Sequence, residues 1–258
     1  MSGPSTPERV VDPELLIHRD ANALAHAVAA RFVTALVDAQ SNGRVAQVVL
    51  TGGRVAAAVY RAVAESPASA TIDWHRVEFW WGDERFLPPG DPERNETQAR
   101  DALLSKVEFD PARVHPMPAD TGQTPEAAAE AYATELAATI SALSDVKGRA
   151  VPAFDVLMLG VGPDGHVASL FPGYSQLEVM DVSAVAVHDS PKPPPTRISL
   201  TVPALNRSRE VWFVVSGADK ASAVAEALTE ASTLPASAPK GRNRTLWLLD
   251  EEAASEIQ

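Results

Sequence analysis

His166, reached through Gly160-Val161-Gly162-Pro163-Asp164-Gly165, is the residue around which chemistry can be assembled. Histidine is the side chain that exchanges a proton closest to neutral pH. Three glycines ahead of it let the main chain turn sharply and approach a ligand closely. The apolar run from Phe154 to Leu159, broken only by Asp155, reads as a buried strand. A strand tip, a glycine turn and a histidine at the start of a short helix are the parts of a small-molecule active site in an α/β fold. The chemistry on offer is activation of water by an imidazole.

Two further polar motifs follow expected strands. Thr51-Gly52-Gly53 precedes an alanine-rich helical stretch. It reads either as a tight turn or as a phosphate cradle, with N–H groups and the helix dipole facing an anion. Asp83-Glu84-Arg85 follows Glu78-Phe79-Trp80-Trp81-Gly82. Such triplets are usually solvated, but this strand is too apolar to lie fully exposed, and a cation there can orient a substrate anion. Pro191-Lys192-Pro193-Pro194-Pro195-Thr196-Arg197 admits two readings. One is a polyproline ligand for a partner domain; the other is a stiffened loop that holds Lys192 and Arg197 ready for a phosphate.

Absences narrow the choice. Gly160-x-Gly162-x-x-Gly165 matches a dinucleotide fingerprint, yet Pro172-Gly173 leave no room for the full helix it requires. There is no Walker ending after Gly53, no G-x-S-x-G elbow and no H-E-x-x-H pair. With no cysteine, disulfides, thiolate metal sites and a cysteine nucleophile are excluded. No cofactor and no metal are expected. His18, His26, His75, His115 and His188 lack a comparable setting and are assigned no role.

The elements that must position these residues are legible as periodicities. Asp20 is an N-cap for a helix with apolar residues at Leu24, Val28, Phe32 and Leu36, ending at Asn42-Gly43. Strands are expected over Val45 to Leu50, Val77 to Trp81, Val182 to Val187, Arg209 to Val215 and Thr245 to Leu249. Helices are expected over Arg54 to Glu65, from near Asn95, from Pro125 to about Leu143, and from Asp219 to Thr229. Strands alternating with helices predict a mostly parallel open sheet with helices on both faces. Ligands bind such sheets outside the carboxyl ends of the strands, where all three polar motifs can meet.

The 258 residues are 45% hydrophobic, enough for a sizeable core. A net charge of −12 argues against nucleic-acid and anionic-membrane partners, though a few cations can still converge on an anionic metabolite. Residues 1–12 are polar, lack an apolar leader and are expected to be flexible; 13–258 are expected to form one domain. No run reaches membrane-spanning length, so a cytoplasmic protein is expected, monomeric rather than an obligate oligomer.

Taken together, the motifs resemble those of the 6-phosphogluconolactonases. The similar segments are Gly160-x-Gly162-x-Asp164-Gly165-His166-x-Ala168-Ser169-Leu170-Phe171-Pro172-Gly173, Gly82-Asp83-Glu84-Arg85 with Asn95, and Pro191-Lys192-Pro193-Pro194 with Arg197. They lie in order between about Val48 and Ser222. The resemblance implies a Rossmann-like fold shared with glucosamine-6-phosphate deaminases and ribose-5-phosphate isomerases. It implies hydrolysis of 6-phospho-D-glucono-1,5-lactone in the oxidative pentose phosphate pathway, without metal or covalent intermediate. His166 is then the general base, Asp164 fixes the turn and the histidine, and Arg85 supports the oxyanion. Gly52, Gly53, Asp83, Lys192 and Arg197 bind the sugar phosphate. Where the family's glycine loop continues with a small hydroxyl residue, this chain has Arg54, which either replaces it as a cation or points away. The deaminases carry a glutamate five residues past the histidine; Phe171 stands there and favours the lactonase over a deaminase or isomerase. A non-catalytic sugar-phosphate-binding module and a partner-binding protein are the other readings.

Overall fold

Ala46–Leu50 and Val77–Trp81 are buried at every residue. Strands reach that state only in a sheet covered on both faces, where side chains pointing either way enter a core. A computed structural model describes residues 12–141 and 151–257. Its elements in chain order are β1 (Glu14–His18), α1 (Ala21–Ser41), β2 (Ala46–Leu50), α2 (Arg54–Glu65), β3 (Val77–Trp81), β4 (Asp83–Arg85), α3 (Asn95–Ala102) and α4 (Pro125–Ser141). After these come β5 (Val156–Leu159), β6 (Ala184–Val187), β7 (Arg197–Leu200), α5 (Val202–Leu205), β8 (Glu210–Val215), α6 (Ala221–Ala227) and β9 (Arg244–Asp250).

Six strands form one parallel sheet in the order β1-β9-β8-β5-β2-β3. Beside it lies a small antiparallel sheet, β4-β7-β6, in which Asp83 is opposite Ser199 and Arg85 opposite Arg197. The order places the site. From β2 the chain runs through α2 outward to β3, whereas β8 and β9 extend the sheet on the other side of β5. The connections therefore diverge between β2 and β5, neighbours through Val48 and Val156, and leave a crevice at their carboxyl ends. Buried residues from Leu24 to Ala253 join in one apolar cluster.

Helix α1 forms as its spacing predicts: Asp20 accepts the Ala23 N–H at 2.7 Å, and Leu24, Val28, Phe32 and Leu36 are fully buried. Helix α2 has the expected bounds. The helix expected over Asp219 to Thr229 is shorter: a 3₁₀ turn over Ala218–Lys220 leads into α6. The far end of α4, expected near Leu143, and all of the N-terminal segment except Asp12 lie outside the described residues. Strands β1, β4 and β7 were not expected. The first is an edge strand with Leu15 and Ile17 exposed; the second is three charged residues.

No helix starts at His166. Ala168 has φ +49°, in the left-handed region that ends a helical path. The next N–H, that of Ser169, binds the Ser199 hydroxyl of β7 at 3.2 Å, while the Ser169 hydroxyl binds Asp83 at 2.6 Å. Docking on the small sheet takes this backbone out of any helical ladder.

Candidate active site

The crevice is a cleft of about 620 Å³ that Gly52, Asp83, Arg85, His166, Lys192 and Lys220 all reach. All three polar motifs picked out by their positions after strands open onto it, as does the proline loop.

At the tip of β5 the Gly162 N–H binds the His166 carbonyl at 2.9 Å, and Gly165, with φ +79°, closes the turn. A Cβ on Gly162 would lie 2.0 Å from His166 Nδ1 and 2.4 Å from an Asp164 oxygen, so only glycine lets the pair sit there. Asp164 Oδ1 and His166 Nδ1 are 2.5 Å apart. A carboxylate can only accept, so Nδ1 carries the proton and the Nε2 lone pair is left free. Nε2 makes no hydrogen bond among the described residues, and the side chain, 14% exposed, lines the cleft. Burial holds the imidazole below its usual pKa, outweighing the hydrogen bond and charge of Asp164, and Lys192 adds to the lowering. For Asp164 burial acts upward, but the bond to His166 and its charge prevail and keep the carboxyl low.

Alternation along β4 sends Asp83 and Arg85 toward the cleft and Glu84 away from it. Glu84 is fully buried and accepts the N–H groups of Arg85 (2.8 Å), Asn95 (2.6 Å) and Glu96 (2.9 Å). It thereby caps α3. Burial raises its pKa to about 7 against the pull of Arg94 and these amides. The cap delivers Asn95, whose amide donates to the Asp83 carbonyl (2.9 Å) and carboxylate (3.1 Å) and accepts from Arg85 Nη1 (2.6 Å). With Ser169 on its other oxygen, Asp83 is a fully engaged wall of the site.

Gly53, with φ +98°, is the N-cap of α2 and offers no capping side chain. The Arg54 and Val55 N–H groups have no partner among the described residues and point out of the helix start, which lines the cleft. Tyr60 fixes the loop by binding both the N–H and the carbonyl of Thr51 (2.9 and 2.7 Å). Arg54 is exposed at the rim.

Arg197 is only 4% exposed. Its Nε and Nη2 donate to the carbonyls of Pro194 (3.2 Å), Lys192 (3.0 Å) and Pro193 (3.4 Å), so it clamps the proline loop from beneath. The loop bends through 191–194 and turns carbonyls inward, unlike an extended polyproline ligand. Lys192 makes no ion pair among the described residues; burial lowers its pKa, with Asp164 opposing and Lys220 and Arg197 adding to the lowering.

The loop after β8, which no sequence motif singles out, also lines the cleft. Gly217, with φ +104°, donates to Asp250 at 3.1 Å, and Lys220 stands 2.9 Å from Asp219 while lining the cleft. Its sequence signal is slight: a glycine and a lysine at a fourth strand tip. Among the described residues no three His, Asp or Glu side chains are grouped to hold a metal ion, and no helix is long and apolar enough to cross a membrane.

Residues 19–247 match the family described as glucosamine-6-phosphate isomerases/6-phosphogluconolactonase. A 6-phosphogluconolactonase of Streptomyces coelicolor is 54% identical over 250 residues, 95% of either chain. That of Mycobacterium tuberculosis is 46% identical, over 93% of this chain and 97% of the relative. Among solved structures, the Thermotoga maritima 6-phosphogluconolactonase superposes with a TM-score of 0.78 at 29% identity, covering 93% of this chain and all of that one. A monomeric glucosamine-6-phosphate deaminase, with a TM-score of 0.74 over 94% of this chain and 99% of that one, shares the fold at 19% identity.

Proposed function

The chain belongs to the glucosamine-6-phosphate isomerase/6-phosphogluconolactonase family, and on that footing we propose that it hydrolyses 6-phospho-D-glucono-1,5-lactone with His166 as general base. The observation that carries this reading is the Asp164–His166 pair, which leaves a neutral Nε2 facing the cleft. Nε2 removes a proton from a water as that water attacks C1. The C1 carbonyl becomes a tetrahedral oxyanion beside Arg85, which Asn95 holds in place. Collapse breaks the bond from C1 to the ring oxygen, and the imidazolium returns its proton to that leaving oxygen. The acid released ionises to 6-phosphogluconate.

The phosphate rests on the free amides at the start of α2, with Arg54 and Lys220 beside it and Lys192 reaching over from the proline loop. Arg197 acts through that loop, and Asp83 through Asn95 and Ser169. General base catalysis contributes about 10²- to 10⁴-fold, and a clamped phosphate adds orientation. The same reading takes residues 13–258 as one domain of a monomeric cytoplasmic enzyme that needs no metal or cofactor and has no nucleic-acid or membrane partner.

The test is a coupled assay. Glucose 6-phosphate is oxidised to give fresh lactone, and a second dehydrogenase reports 6-phosphogluconate. The protein is expected to speed its appearance well beyond spontaneous opening. No acceleration, or ammonia released from glucosamine 6-phosphate instead, would overturn the proposal.

A further inference from the structure

We propose that Phe171 is a positioning residue that ties the base to the cation loop, its ring packed against both the His166 imidazole and the Arg197 guanidinium. The inference rests on the catalytic reading of His166. The ring centroids of Phe171 and His166 are 4.5 Å apart with the planes tilted by 37°, and the Arg197 guanidinium carbon lies 5.8 Å from the Phe171 centroid. Phe171 also packs on Tyr174 at 5.6 Å, and the Tyr174 hydroxyl donates to the Asp189 carbonyl at 2.7 Å. The aromatic pair thus holds the proline loop near both ends, at Asp189 and at Arg197.

Phe171 is fully buried and does not line the cleft, so it has no contact of its own to offer a substrate. Its effect runs through its neighbours. Asp164 fixes one nitrogen of the imidazole but leaves the ring free to tilt about that bond; a flat side chain against its face removes the tilt. The same ring keeps water from that face, which disfavours the charged imidazolium. The charges facing the imidazole are those of Asp164, Lys192 and Asp83. Arg197 shares the Phe171 ring, so an imidazolium would also bring a second cation to it.

An ordinary core phenylalanine would affect stability alone, and this separates the two possibilities. Phe171→Leu is compared with Phe213→Leu, which removes the same volume from a buried ring stacked on Trp247 at 4.2 Å. Nuclear magnetic resonance follows His166 titration without substrate, so the test survives even if the lactonase reading fails. Phe171→Leu should raise the His166 pKa by about half a unit and lower kcat about 10-fold with KM within a few-fold. Phe171→Tyr, which keeps the ring, should restore the titration and most of kcat. Phe213→Leu should lower the melting temperature and move neither. Phe171→Met, unbranched and better able to fill an irregular gap, serves if the leucine variant does not fold. If the ringless variants fold with unchanged His166 titration and kcat within twofold, Phe171 is core packing and the proposal is wrong.

Discussion

A Cβ built on Gly52 falls 1.7 Å from Oδ1 of Asn95. The glycine loop and the amide that joins Asp83 to Arg85 therefore use the same space, and two motifs 43 positions apart in sequence are fitted to each other. The glycine is required for this close approach. Its φ lies outside the left-handed region, so backbone strain plays no part.

Gly52→Ala should accordingly push Asn95 off Arg85 Nη1 and leave the guanidinium tied only to the Glu93 carbonyl. The expected outcome is a loss of about 10²-fold in kcat/KM, as misplacement of a catalytic group produces. The melting temperature should change by only a few degrees. Steady-state kinetics beside a thermal melt checks both.

Lys192→Ala and Lys220→Ala should act on binding. In the proposed site each supplies a charge-assisted contact to the phosphate, so its removal should raise KM about 10-fold or more while kcat changes less. Discrimination against the unphosphorylated lactone should shrink in parallel. Equal KM values for the two lactones in the native protein would remove the phosphate clamp.

The pH profile carries a sign. Burial holds His166 below 6.5, so the proposed base is neutral at pH 7 and the acid limb of kcat/KM should lie below pH 6.5. Asp164 raises that pKa. Asp164→Asn should move the limb to still lower pH, while kcat falls because the tautomer is no longer enforced. This shift is opposite to that expected of Phe171→Leu.

Away from the cleft, His115 sits between Glu135 and Glu78, 2.6 Å from each, and stacks on Trp80 at 3.9 Å. Burial opposes its charge, but the two carboxylates prevail and raise its pKa to about 9. A histidine raised on folding stabilises fully below its unfolded value of about 6.5. That contribution is lost as pH climbs through about 9. The melting temperature of the native protein should fall over this window relative to His115→Gln, with kcat at pH 7 unaffected.

Much of this was legible in the sequence where burial dictates residue type. The bounds of α2 and β3 follow from apolar spacing, and His166 stands out because glycines and a strand precede it. What was hidden depends on contacts distant in sequence. Asp83-Glu84-Arg85 looks like solvated charge until Glu84 is seen capping α3 and Asn95 joining its neighbours. The expected helix at His166 is absent because Ser169 is held by Ser199 and Asp83, partners 30 and 86 residues away. Arg197 reads as a phosphate ligand and does line the cleft, but spacing cannot reveal that its Nε and Nη2 also hold three carbonyls of the proline loop. Lys220 does not stand out in the sequence, because a lysine at a helix start carries little signal until four strand tips share one cleft.

The most direct measurement is the turnover of His166→Ala on freshly generated 6-phosphogluconolactone at pH 7, with the affinity for 6-phosphogluconate measured in parallel. General base catalysis by Nε2 predicts a kcat lower by about 10²-fold or more, with product affinity nearly unchanged. Turnover within a few-fold of the native rate, in a variant that still binds the product, would contradict it.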